Sequence, residues 1–174
     1  MSAAATSATA PLPLAGLARR FASLVYELLL LTAVVFVAGF LLLPLISPGS
    51  AADAKELTIP ALPQRVALFC LLFAILAAFY VGYWSNGRRT LPMKTWRLSL
   101  VLAGGAPVPP KVALLRYLAA WIGPLLALAA YALLVRYGLG AHATWLVAFG
   151  FLWAFVDRDR QFLHDRIAGT RVVH

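Results

Sequence analysis

Residues 21–46 read FASLVYELLLLTAVVFVAGFLLLPLI, a run of 26 in which Glu27 is the only charge. At about 1.5 Å per residue, an α-helix of this length reaches about 39 Å against a hydrocarbon core of about 30 Å. It therefore spans a bilayer with tilt, or protrudes at its Pro44 end. Arg19 and Arg20 precede it as the basic residues of a secretory signal would, yet the run far exceeds a signal's apolar region of roughly 7 to 15 residues. An uncleaved spanning helix is the expectation. The composition agrees: of 174 residues, 63% are apolar and 12% charged, with a mean hydropathy of +0.86. Soluble domains are roughly a quarter charged, so this chain has too little polar surface to coat a core in water. The same figures exclude disorder, and the lack of Gly periodicity excludes a collagen-like fibre.

Working outward, residues 1–18 are rich in Ala, Ser, Thr and Pro and read as a flexible tail. Residues 47–65 carry Asp53, Lys55, Glu56 and Arg65 among three prolines and read as an irregular, nearly neutral loop. A second span covers 66–84 and closes on Tyr83 and Trp84 as interfacial aromatics. The loop 85–111 holds Arg88, Arg89, Lys94, Arg97 and Lys111 with no acidic residue, which places it in the cytoplasm. Within it, Thr95 to Leu102 alternates apolar and polar residues, which suits a short strand or an interfacial segment. A third span covers 112–135 with Arg116 near its start and a kink expected at Pro124. A fourth, 139–156, is the weakest. Four spans with both termini inside put twelve Lys and Arg in the cytoplasm against three outside, whereas three spans would leave eight against seven. The expected fold is all-α and transmembrane, a compact bundle of four spanning helices in preference to three, with a cytoplasmic tail at 157–174.

Those basic residues sit between apolar runs rather than along one face, so nucleic acid is excluded as a partner. Cys70 lies inside an apolar run and reads as an inert hydrophobe. Two ladders of small residues at spacing four, Ala74, Ala78, Gly82 and Ala119, Gly123, Ala127, suit close helix packing or a homo-oligomer. No phosphate loop, nucleophile triad or zinc pattern is present, so no enzyme activity, cofactor or metal is expected.

Glu27 is the most informative residue, because a carboxylate in a spanning helix finds a partner, faces the bundle interior or carries a proton. Arg116 enters the membrane from the same side to a similar depth, so a Glu27–Arg116 ion pair is one expectation. Arg20, seven residues before Glu27 on nearly the same face, is a second partner. The tail packs Asp157, Asp159, His164 and Asp165 among arginines, and reads as a salt-bridged amphipathic helix. Phe162, Leu163, Arg166 and Ile167 would rest on the membrane, with Gly169 as the stop. Asp157, Asp159 and His164 are gate or docking candidates.

Four features then fall in order: Arg20 followed by Glu27, Gly87-Arg88-Arg89-Thr90-Leu91-Pro92-Met93-Lys94, an apolar hairpin, and His164-Asp165-Arg166-Ile167-Ala168-Gly169-Thr170. In these the chain resembles the RDD family of membrane proteins. The arginine and two aspartates of the family's name correspond to Arg20, Glu27 and Asp165, with Glu27 lengthening the second carboxylate. Pro92 stands where relatives often carry Gly, and Arg88-Arg89 where a Gln is usual. The resemblance implies a multi-pass protein of the bacterial inner membrane, with ion or small-solute transport as the expected role; the carboxylate of Glu27 within a span points to cation/proton exchange as one form of it. Arg20, Glu27, Arg116 and Asp165 are then ion, proton or structural ion-pair candidates. The lipid bilayer, a homo-oligomer and a small cation or proton are the partners. The alternative is a non-transporting assembly or regulatory protein that docks a cytoplasmic partner or anionic lipid through its basic loop and Asp/Arg tail.

Overall fold

A computed structural model describes residues 13–46 and 61–174. The loop charges Asp53, Lys55 and Glu56, and most of the expected N-terminal tail, lie outside the described residues. Among the described residues, three helices are long and apolar enough to cross a membrane: α1 (Leu17–Ile46), α2 (Leu62–Trp84) and a broken rod made of α4 (Pro110–Ala120) and α5 (Ile122–Leu134). The helices α1 and α2 begin four residues before their expected starts. Pro63 accounts for α2, since its missing N–H costs nothing in a first turn. Pro124 explains the break in the rod, because it offers no N–H to the Ala120 carbonyl, and the Trp121 N–H turns back to Leu118 O at 3.1 Å.

The fourth apolar stretch, Gly140–Phe155, is not one α-helix. It runs as a 3₁₀ segment (Gly140–Ala148), a single α-turn α6 (Phe149–Leu152) and a second 3₁₀ turn (Trp153–Phe155). The tighter winding rises about 2.0 Å per residue, so these residues reach about 30 Å where an α-helix would reach about 24 Å. That recovers a bilayer thickness from a stretch too short by α-helical arithmetic. It packs along α5 through Gly123, where an added Cβ would stand 2.6 Å from the Val147 carbonyl oxygen. The ladder Ala119, Gly123, Ala127 is therefore an internal seam, with both alanines buried. The other ladder faces outward: Ala74 and Ala78 are exposed, and nothing lies within 4 Å of a Cβ at Gly82.

A small polar cap closes one end of the bundle. After α2, helix α3 (Leu91–Thr95) starts at Thr90, whose hydroxyl accepts from the Met93 N–H at 3.4 Å. Strand β1 (Ser99–Leu102) follows and buries Leu100, with Leu98 buried just before it, so the expected alternation forms a strand only over its second half. It pairs antiparallel with β2 (Thr170–Val173), Ser99 opposite Val173 and Leu102 opposite Thr170. Between α6 and β2 lies α7 (Leu163–Ala168), stopped by Gly169 at φ 63°, a conformation that favours glycine. The core of buried side chains, among them Trp84, Met93, Leu100, Val108, Ala113, Tyr117 and Val172, sits where this cap meets α2 and α4.

Two expectations are corrected here. Residues 13–18 are not a free tail: the Ala15 N–H donates to Val172 O at 3.0 Å, the His174 N–H donates to Pro13 O at 3.2 Å, and α1 already begins at Leu17. The start of α1 thus lies against the C-terminal strand. Nor does the C-terminal segment lie on the membrane as an amphipathic helix. Phe162, His164 and Asp165 are buried in the bundle end, and only six residues are helical. The apolar residues assigned to a lipid face are partly consumed by an aromatic cluster in which Phe162 packs against Phe21, Phe151 and His164.

Candidate functional site

Three elements, α1, α4 and α7, converge under the cap and bring Arg20, Glu27, Arg116 and Asp165 together. Asp165 comes from α7, which packs across α4 so that its acidic face turns inward. Its carboxylate is fully buried and accepts from the Arg116 Nε at 2.7 Å. The Thr170 hydroxyl, at 3.3 Å from Oδ1 and 3.4 Å from the Asp165 carbonyl, holds the same oxygen from β2. The Arg116 guanidinium carbon stands 4.0 Å over the Trp84 ring, so its second face is covered by π-density at the end of α2.

Arg116 is therefore the partner of Asp165 and not of Glu27. Among the described residues no ion pair includes Glu27, and its buried Oε1 has no hydrogen-bond partner. Arg20 also bypasses Glu27. It donates from one terminal nitrogen to Arg160 O at 3.0 Å and from the other to Val172 O at 3.2 Å, pinning α1 to the chain on either side of α7. Glu27 instead lies on the wall of a cavity of about 300 Å³ together with Arg20, Ser23, Arg116, Trp84 and His164. The rest of that wall is largely apolar, including Leu24, Leu76, Phe151 and Phe162.

Burial decides the titration of His164 but not that of Asp165. Burial pushes the His164 imidazole down to about 4, further than the neighbouring Asp165 charge can restore it, so it is neutral near pH 7. Burial alone would raise the Asp165 carboxyl. The Arg116 guanidinium, with smaller help from His164 and Arg20, more than offsets this and holds it below the usual carboxylate range.

The remaining acidic residues are elsewhere. Asp157 accepts from the backbone N–H groups of Asp159 and Gln161 at 3.1 Å each, organising the turn before α7. Arg166 bridges Asp157 at 3.4 Å and Asp159 at 2.9 Å. These pairs are partly exposed and stand apart from the cavity wall. Sequence reading assigned no role to Ser23 or Gln161, and quoted Thr90 and Thr170 only as members of longer motifs. Thr170 carried one readable signal, a hydroxyl directly after the Gly169 stop, where the chain must turn back over its own helix. Among the described residues no group of three or more His, Cys, Asp and Glu could hold a metal ion.

Compared with known proteins, residues 14–169 match the model of the RDD family. No curated protein matches the chain, and no solved structure does.

Proposed function

This chain belongs to the RDD family, and we propose that it is a multi-pass protein of the bacterial inner membrane that exchanges protons for a small cation, with Glu27 as the carrier group. One observation supports this above the others: a carboxylate inside a spanning helix, free of any ion pair among the described residues, on the wall of a cavity of about 300 Å³. Ionisable residues at such depth are expensive and mark ion or proton paths. Arg20 and Arg116 line the same cavity, so a proton or a cation on Glu27 changes the charge balance against two fixed guanidiniums. The positive-inside bias puts the cap on the cytoplasmic side. Four apolar stretches are few for a carrier, and a second copy seated on the outward ladder Ala74, Ala78, Gly82 would complete the pathway.

The test is pH-dye flux in sealed vesicles holding purified protein, with sodium, potassium or lithium as the exchanging ion. Exchange that vanishes in Glu27→Gln is the expected result. Equal flux in both proteins overturns the role of Glu27.

A second reading rests on Arg88, Arg89, Lys94 and Arg97, all exposed around α3 with no acidic residue between them. Such a patch attracts anionic lipid at about 1 kcal/mol per basic residue. A docking protein of this kind shows no ion exchange and loses binding to anionic vesicles when these four are neutralised.

A further inference from the structure

A second cavity, of about 220 Å³, lies behind Asp165 and is lined by Ala103, Gln161, Asp165, Arg166, Thr170 and Arg171 together with Gly169. It shares no wall residue with the larger cavity. Arg116 faces the larger space and Asp165 the smaller, so their 2.7 Å ion pair is the partition between the two.

The smaller cavity carries two buried polar groups of opposite sense. Asp165 is fully buried and Gln161 is 2% exposed. The Asp165 Oδ2, an acceptor, and the Gln161 Nε2, a donor, have no hydrogen-bond partner among the described residues. A buried polar group left unmet is expensive, and native chains satisfy such groups with protein or with water. An anion would answer Gln161 but be repelled by Asp165, and a cation would do the reverse. Water answers both, because it donates and accepts. The space is large enough to admit water, and its wall offers the polar partners that a stable water site requires.

We infer that this second cavity is an aqueous portal: a water chain that enters beside Arg166 and Arg171 and brings bulk water up to the Arg116–Asp165 partition. The inference deepens the transport reading and rests on it for the fate of the proton, but the hydration of the portal stands independently. Opening the ion pair joins the portal to the space holding Glu27.

The test uses the full chain in bilayers with Cys70 replaced by Ala, carrying a single new cysteine and exposed to a small charged thiosulfonate. Gln161→Cys reacts from the water on the cap side in the native background. Ser23→Cys, in the larger cavity, is protected there and reacts at least about tenfold faster when Asp165→Asn is added, the factor that about 1.4 kcal/mol of lost pairing produces. A Gln161→Cys that stays unlabelled while a cysteine at the exposed Arg158 position labels overturns the portal. So does a Ser23→Cys rate that Asp165→Asn leaves unchanged. A second readout does not depend on the folding of Asp165→Asn. Replacing Gln161 by Leu relieves an unmet amide in a dry pocket and raises Tm, whereas in a hydrated pocket it strips a partner from the water chain and leaves Tm unchanged or lower. A raised Tm refutes the inference. Flux that is insensitive to Glu27→Gln alongside reactive Gln161→Cys would remove the transport reading and leave the portal standing.

Discussion

Replacing Asp165 by Asn keeps the shape of the side chain and deletes its charge, so it isolates what the buried ion pair does for the fold. The Arg116 side chain is 8% exposed and that of Asp165 0%, at 2.7 Å separation. Removing one partner from a buried pair costs about 3–5 kcal/mol, chiefly because the other charge is left uncompensated away from water. Trp84 stands over the guanidinium at 4.0 Å in both proteins, so its cation–π contact leaves that difference unchanged. A loss of at least about 3 kcal/mol follows, a large share of a typical total of about 5–15 kcal/mol. The assay is reversible unfolding in mixed micelles, followed by tryptophan fluorescence. The control is Asp159→Asn, whose pair with Arg166 is 38% and 49% exposed and should contribute no more than about 1 kcal/mol. The double variant Arg116→Met with Asp165→Leu should be less damaged than Asp165→Asn, since no orphaned charge remains. An Asp165→Asn loss below about 1 kcal/mol, or a double variant as unstable as the sum of its singles, would refute the reasoning.

The two glycine ladders should separate cleanly. Gly123→Ala places a Cβ 2.6 Å from a backbone oxygen of the 3₁₀ segment, where nothing can rotate away, and should cost about 1–3 kcal/mol in the same unfolding assay. Gly82→Ala meets nothing within 4 Å and should be neutral or stabilise by up to about 1 kcal/mol. Acid should weaken the cap through His164, which falls from 6.5 unfolded to about 4 folded. Because the folded form resists the proton that the unfolded form accepts, stability is full above pH 6.5 and is lost as pH falls toward 4. The loss is about 3 kcal/mol, and Tm measured across that window should flatten in His164→Gln. The lowered Asp165 acts only below the ordinary carboxylate range, so it does not account for this window.

The parts of the fold that were legible depend on local chemistry. Apolar length marks the spans, the missing N–H of Pro124 marks the break in the third, and Gly169 marks the end of α7. Distance along a helix gives a depth but not a direction across the bundle, which is why Arg116 and Glu27, similar in depth, suggested a pair that does not form. The true partner of Arg116 arrives from α7, 49 residues later. Its approach depends on β1 pairing with β2, and four-residue strands so far apart in the chain carry no local signal of each other. The inward turn of Asp165 follows from that pairing, and with it the burial of residues that amphipathic periodicity assigned to the membrane surface. The 3₁₀ winding of the fourth stretch likewise answers its packing against Gly123 and has no propensity signature.

The four charged residues gathered under the cap therefore do unequal work. Arg116 and Asp165 neutralise each other by contact, whereas Arg20 spends its donors on two carbonyls and Glu27 stands in no ion pair among the described residues. Arg20 and Glu27 are seven positions apart on one helix, about 10 Å along its axis. At an effective dielectric near 20, opposite charges at about 10 Å attract by about 1.6 kcal/mol, against about 4 kcal/mol at about 4 Å. A fold selected only for rigidity would close that gap, as it does between Arg116 and Asp165. Holding the second carboxylate out of an ion pair with either guanidinium, on the wall of a cavity that all three line, leaves it, under the proposed exchange, to be compensated by something that arrives from outside. Of the four charged residues, Glu27 is thus the one whose state the bundle leaves open.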